Sequence, residues 1–128
     1  MHRRQFLILA GAIGAVGATA PMSFAETVSL NRIEAEIAAG GPVLVHITAP
    51  WCGTCKIQKP IVAALLANPH FKELKKIDVD FDSQGDVLRT FRVQTQATMI
   101  VFKNGKEVDR AIGETRREKI AEFLEKVV

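Results

Sequence analysis

Apolar residues along this chain recur at two periods, and the alternation between them lays out the fold. Leu30, Ile33 and Ile37 fall at helical spacing behind Ser29, a residue type suited to cap a helix start. Gly40-Gly41-Pro42 ends that helix, and the β-branched run Val43-Leu44-Val45-His46-Ile47 predicts a buried strand stopped by Ala49-Pro50. A helix is expected from Thr54 to Ala67, with Ile57, Ile61 and Leu65 turned inward, Pro60 inside it and Asn68-Pro69 closing it. Ile77 and Val79 alternate with Asp78 and Asp80, which reads as a second strand, and a short helix follows from about Gly85 to Phe91. Thr98 to Phe102 is a third strand. Asn104-Gly105, two residues that tolerate positive φ, turns it back into Glu107 to Ile112. Thr115-Arg116-Arg117-Glu118 has the form of a capping box ahead of an inward stripe of Ile120, Phe123, Leu124 and Val127. The order α-β-α-β-α-β-β-α gives an α/β domain. Its early strands, joined through helices, are expected to be parallel and its late hairpin antiparallel, in a mixed sheet with helices on both faces.

The first 25 residues do not share this pattern. Arg3-Arg4 is positive, Phe6 to Ala20 is apolar and free of charge, Pro21 breaks any helix, and Ser23-Phe24-Ala25 offers small residues where a signal peptidase cuts. Arg3-Arg4-Gln5-Phe6-Leu7 resembles the twin-arginine export signal, with His2 where that signal usually has Ser or Thr. The reading is a signal peptide over 1–25, cleaved after Ala25, and one domain over 26–128. The alternative is an uncleaved N-terminal anchor. The apolar run is short of the roughly 20 residues that span a bilayer. Either way the domain is expected in the bacterial periplasm, an oxidising compartment.

Removal of the leader changes the charge. Without Arg3 and Arg4, the 17 basic residues fall to 15 against 14 acidic ones, which leaves about +1. A domain that neutral carries no basic stripe for nucleic acid. No cofactor motif is visible, and nothing in the sequence calls for more than a monomer.

The chain has two cysteines, Cys52 and Cys55, three positions apart. A ring so short gives little loop-closure stabilisation, so the pair is poorly suited to stapling the fold. It sits where a strand gives way to a helix. There the unpaired N–H groups and the macrodipole favour a thiolate at Cys52, and the thiolate is the nucleophile of disulfide exchange. Cys55, one turn on, is placed to attack a mixed disulfide formed at Cys52. Gly53 and Thr54 are small enough to let a partner approach, and Trp51 offers a flat apolar surface beside the nucleophile. The competing readings are a metal pair, an inert pair or a regulatory switch, although structural zinc usually takes four Cys or His ligands.

Trp51-Cys52-Gly53-Thr54-Cys55-Lys56 followed by Pro60 resembles the active-site helix of the thioredoxin family. Phe102-Lys103-Asn104-Gly105 resembles that family's late hairpin. The resemblance runs from about Val28 to Val128 and implies a thioredoxin-like fold, with Cys52 as the attacking thiol and Cys55 as the resolving one. It also marks departures. Gly53-Thr54 stands where the family has Gly-Pro, a dipeptide that helps set the reduction potential. Ala97, followed by Thr98, stands where the family has a cis-proline that faces the Cys pair, pairs with substrate backbone and keeps metals off. The Gln96-Ala97 bond is expected to be trans. His46 takes the place of the family's buried acid, either as a satisfied core histidine or as a proton acceptor for Cys55. Lys76 matches a lysine near that acid and loses its partner here. Thr48 replaces a second Trp. Asp80 and Asp82 are expected to cap the short helix, and His70 to lie on the surface.

The function expected from these readings is thiol–disulfide exchange with exported, cysteine-containing proteins, as a reductase fed by a membrane thiol donor. The residues assigned to it are Cys52, Cys55 and His46 for the chemistry, and Trp51, Gly53, Thr54, Ala97 and Thr98 for substrate. Three alternatives stay open: an oxidase working in the other direction, a copper-handling protein using Cys52, Cys55 and His46, since soft thiolates suit Cu(I), and a redox-inert interaction module.

Overall fold

The computed structural model describes residues 27–128. The leader reading and its cleavage after Ala25 lie outside the described residues. Four helices and four strands follow the expected order: α1 (Leu30–Ala38), β1 (Val43–Thr48), α2 (Gly53–Leu66), β2 (Lys75–Asp80), α3 (Gly85–Phe91), β3 (Thr98–Lys103), β4 (Lys106–Ile112) and α4 (Arg117–Glu125). A single 3₁₀ turn, Pro69–Phe71, links α2 to β2.

The sheet runs β2-β1-β3-β4. β1 is parallel to β2 and antiparallel to β3, and β3–β4 is an antiparallel hairpin with a register shift between Val101 and Phe102. Side chains alternate between the two sheet faces. Val43, Val45 and Ile47 of β1 pack with Ile33 and Ile37 of α1 and Val87 of α3. Leu44 points the other way and packs with Val62 and Leu65 of α2 and Ile120, Phe123 and Leu124 of α4. Helices therefore cover both faces, as the apolar pattern required. His46, two residues on, falls on the same face as Leu44 and is buried against α2.

Local chemistry explains most of the boundaries. Ser29 caps α1, its hydroxyl accepting from the Arg32 N–H at 3.3 Å. Asn104 and Gly105 both adopt positive φ, 57° and 79°, which suits a two-residue hairpin turn.

Three expectations need correction. Ile57 is 52 % exposed, because the inward stripe of α2 is Cys55, Gln58, Val62 and Leu65. The capping box at Thr115–Glu118 does not form. Arg116 is the N-cap of α4 and makes no side-chain cap. The loop ahead of it is held instead by Glu114, whose carboxylate accepts from the N–H groups of Thr115 and Arg116 and from the Arg116 guanidinium, all at 3.0 Å. These contacts hold the Glu114 carboxyl at a pKa of about 2. Asp80 and Asp82 do not cap α3, whose N-cap is Gln84. Asp80 accepts from the Ser83 hydroxyl, and Asp82 is engaged elsewhere.

The end of α3 is fastened by a side chain from the far strand. Arg92 closes the helix in the left-handed region (φ 56°). The Arg110 guanidinium donates to the carbonyls of Phe91 (2.9 Å) and Arg92 (3.2 Å) while forking onto Glu107. Cationic donors at a helix C-terminus satisfy carbonyls that have no partner within the helix. Because the group is partly exposed, Arg110→Ala is expected to cost only about 1 kcal/mol. A lowered urea midpoint at unchanged slope would show it.

Candidate active site

The site is built where β1 stops and α2 starts. Cys52 has extended backbone angles (φ −84°, ψ 114°) and serves as the N-cap of α2. Its sulfur accepts a hydrogen bond from the Cys55 N–H at 3.1 Å. Capping at this position is usually done by an oxygen that satisfies one of the helix's free donors. Here the same donor addresses a sulfur, and it would stabilise that sulfur most when it carries a full negative charge. Cys52 and Cys55 form a disulfide, with Cα atoms 5.3 Å apart. Cys55 is fully buried and Cys52 is 3 % exposed.

Around the pair, the structure brings together most of the residues singled out in the sequence. Ala97 packs with Cys52, Cys55 and Ala49, and Phe81 lies against this cluster. Trp51 is 57 % exposed; its ring stands edge-on to Phe81 at 6.3 Å and its indole N–H donates to Asp82 at 2.8 Å. Asp82, expected as a helix cap, thus orients the tryptophan beside the disulfide. Gly53 faces open space: a Cβ built on it meets nothing within 4 Å. Thr54 is half-buried. Thr98 is buried, and its hydroxyl donates to the Thr95 carbonyl, so it closes its own loop instead of facing outward.

The loop before β3 departs from what proline would impose. The described residues contain no cis peptide bond, as expected at Gln96-Ala97, and Ala97 sits at φ 65°. A residue with a Cβ pays roughly 1–2 kcal/mol for this region. Hydrogen bonds offset that cost. The Ala97 N–H donates to the Ile47 carbonyl at 2.8 Å, and its carbonyl accepts from the Gly113 N–H at 3.0 Å and from the Gln58 side chain at 3.2 Å.

Gln58 is the residue that sequence reasoning missed. It lies one turn beyond Cys55 on the inward stripe of α2 and is fully buried. Its amide nitrogen donates to the carbonyls of Ala97 and Glu114, and its oxygen stands 2.8 Å from His46 Nε2. The available signal was a polar residue on a helical stripe otherwise apolar, opposite a strand carrying a lone histidine. His46 itself is 1 % exposed. Burial pushes its pKa below 6.5, opposed chiefly by the Gln58 hydrogen bond and by the charge of Asp78, its neighbour in register on β2. Lys76 has found a new partner in Asp78 at 3.0 Å. His70 is on the surface, paired with Glu125.

No group of three or more His, Cys, Asp or Glu side chains able to hold a metal occurs among the described residues. A cleft of about 590 Å³ opens beside Lys59, Lys76 and Asp78, and neither cysteine lines it.

Comparison with known proteins agrees with this geometry. The thioredoxin family model matches residues 24–126. A thioredoxin from Chlamydia trachomatis is 38 % identical over 93 residues, covering 72 % of this chain and 88 % of that one. A crystal structure of the protein Trxlp from Edwardsiella tarda superposes with a TM-score of 0.73 at 40 % identity, over 77 % of this chain and 95 % of the other. A Malassezia sympodialis thioredoxin shares the fold at 22 % identity, with a TM-score of 0.71 over 77 % of this chain and 88 % of its own. The chain belongs to the thioredoxin family, and it is a thioredoxin-type thiol–disulfide oxidoreductase with Cys52 and Cys55 as its redox pair.

Two outcomes follow for the surroundings of that pair. Proline at 97 has no N–H for the Ile47 carbonyl and cannot adopt φ near +65°. Ala97→Pro should therefore cost about 2 kcal/mol or more, while Ala97→Gly stays within about 1 kcal/mol of the parent. An Ala97→Pro variant as stable as the parent in urea would contradict this. His46 binds its proton more weakly folded than unfolded, so the unfolded chain holds more protons below pH 6.5 and stability falls with acidification. Urea titrations between pH 7.5 and 5 should show a steeper loss for the parent than for His46→Asn.

Proposed function

We propose that this thioredoxin-family chain works in the periplasm as a reductase of exported proteins, with Cys52 as attacking thiol, Cys55 as resolving thiol and His46 as proton acceptor. The observation that carries the assignment is the Cys52 sulfur at the N-cap of α2, accepting from the Cys55 N–H. In the reduced state that donor and the helix dipole favour the thiolate at Cys52.

The steps are those of thiol–disulfide exchange. The Cys52 thiolate attacks one sulfur of a client disulfide, forms a mixed disulfide and expels the client's other sulfur as thiolate. Cys55 then gives its proton to His46, attacks the Cys52 sulfur and releases the second client thiolate. Protons, one of them by way of His46, convert the client sulfurs to thiols. The client has gained two electrons and the chain is left with the Cys52–Cys55 disulfide. A membrane thiol donor restores the dithiol by the same steps in reverse, because the periplasm is kept oxidising.

Support for the His46 role comes from its position. It lies on the face of β1 that α2 covers, and its partner Gln58 is one turn from Cys55. Burial pushes the imidazole's pKa down and the Gln58 hydrogen bond opposes this, and an imidazole is a residue type suited to taking up and releasing a proton. For the client, Trp51 and Gly53 supply an apolar, uncrowded rim, and Ala97 closes the other side. The leader over 1–25 supports export, and a domain without a basic excess supports protein clients instead of nucleic acid.

The test is a Cys55→Ser variant expressed with its leader. It should accumulate in the periplasmic fraction as mixed disulfides with exported proteins, while Cys52→Ala accumulates none. Equilibrated against glutathione, the parent pair should have a potential below about −220 mV. A value near the roughly −120 mV of strong oxidants would sink the reductase direction.

A further inference from the structure

We propose that Gln58 is a positioning residue: it dictates which ring nitrogen of His46 carries the proton, and it ties that choice to the loop at Ala97. The proposal rests on the reading of His46 as proton acceptor and extends it to a residue outside the cysteine motif.

The amide of Gln58 has no freedom to flip. Its nitrogen stands 2.9 Å from the Glu114 carbonyl and 3.2 Å from the Ala97 carbonyl, so both of its hydrogens are used. Both partners are backbone carbonyls, which only accept. Reversing the amide would set its oxygen against two other oxygens in a fully buried site, with the loss of both bonds. The orientation therefore follows from the partners and not from convention. The oxygen must face His46 Nε2, 2.8 Å away, and it too only accepts.

This fixes the imidazole. A neutral histidine has one N–H, and the bond to Gln58 requires it on Nε2. Nδ1 is left with its lone pair as the basic atom. When Nδ1 takes a proton the ring becomes a cation that still donates from Nε2, so the bond persists and strengthens. The acceptor can gain and lose a proton without any side chain turning.

Other groups facing the ring do not set this choice. Asp78 and Lys76 on β2 and Lys59 on α2 act on it through charge alone, with opposing signs, and β3 presents Met99. Among the described residues, Gln58 is the one side chain hydrogen-bonded to the ring.

The second half of the proposal concerns the loop. The same amide binds the carbonyl of Ala97, which packs against both cysteines, and that of Glu114, whose loop is held by the Glu114–Arg116 pair. A client pressing on the Ala97 loop therefore acts on the group that orients the proton acceptor.

The test uses the ¹⁵N-labelled full chain. Two-bond ¹⁵N–¹H correlation spectra distinguish the two neutral tautomers of a histidine directly. The parent should show His46 protonated at Nε2 above pH 7. In Gln58→Met, of similar size but without an acceptor, the Nδ1–H form should appear. Resolution of a Cys52 mixed disulfide should slow about tenfold in that variant, with the first attack by Cys52 changed less than twofold. An Nδ1–H form in the parent, or an unchanged tautomer in Gln58→Met, overturns the proposal; the first needs no variant to fold. If the tautomers behave as stated but His46→Asn resolves at the parental rate, the proton-acceptor reading fails and the Gln58 assignment stands.

Discussion

A buried polar group must find partners inside the protein, and the centre of this molecule is organised by that requirement. His46 stands in a six-residue strand with every other position buried. Left alone there, an imidazole N–H costs on the order of 1–3 kcal/mol. Gln58 answers it from α2, and its own amide must then be answered by the carbonyls of Ala97 and Glu114. One substitution in the strand thus propagates to a helix and two loops. No buried side-chain nitrogen or oxygen is left without a partner among the described residues. A network satisfied to that degree specifies one arrangement, whereas a partly satisfied one would be worse than an apolar core.

The position of the cysteines depends on the same frame. α2 is held down at Cys55, Gln58, Val62 and Leu65, and this fixes where its first turn meets the end of β1. Cys52 then falls at the N-cap and Ala97 packs against the pair. Trp51 is held from a third direction by Asp82 and Phe81. The redox pair therefore rides on rigid elements, and the open side belongs to Gly53, where the structure offers no obstruction.

Much of this was legible in the sequence, for identifiable reasons. Element order and sheet type followed from the two apolar periods and from Asn104-Gly105, because these signals are local. The redox pair was legible from its place at a strand-to-helix junction. Errors arose where tertiary partners overrode local rules. Thr115 and Glu118 have the right spacing for a capping box, but the carboxylate of Glu114 reaches the N–H groups of that loop first. Asp82 has a capping residue's chemistry, yet an indole 31 positions earlier claims it. Ile57 suggests an inward stripe displaced by one residue from the true one, because a glutamine at 58 disguises a core position. Gln58 is hidden from single-sequence reading for the same reason: its meaning depends on His46, 12 positions away and on another element.

The His46–Gln58 contact differs in kind from an ion pair. A buried acid would interact with its surroundings through a full charge, and a distant lysine would modulate it to an extent set by the surrounding salt. Here the ring's hydrogen bond is to an uncharged amide, and Lys76 is paired with Asp78. A neutral contact of this kind has its geometry set by partners within the protein, while Asp78, Lys76 and Lys59 still reach the ring through charge.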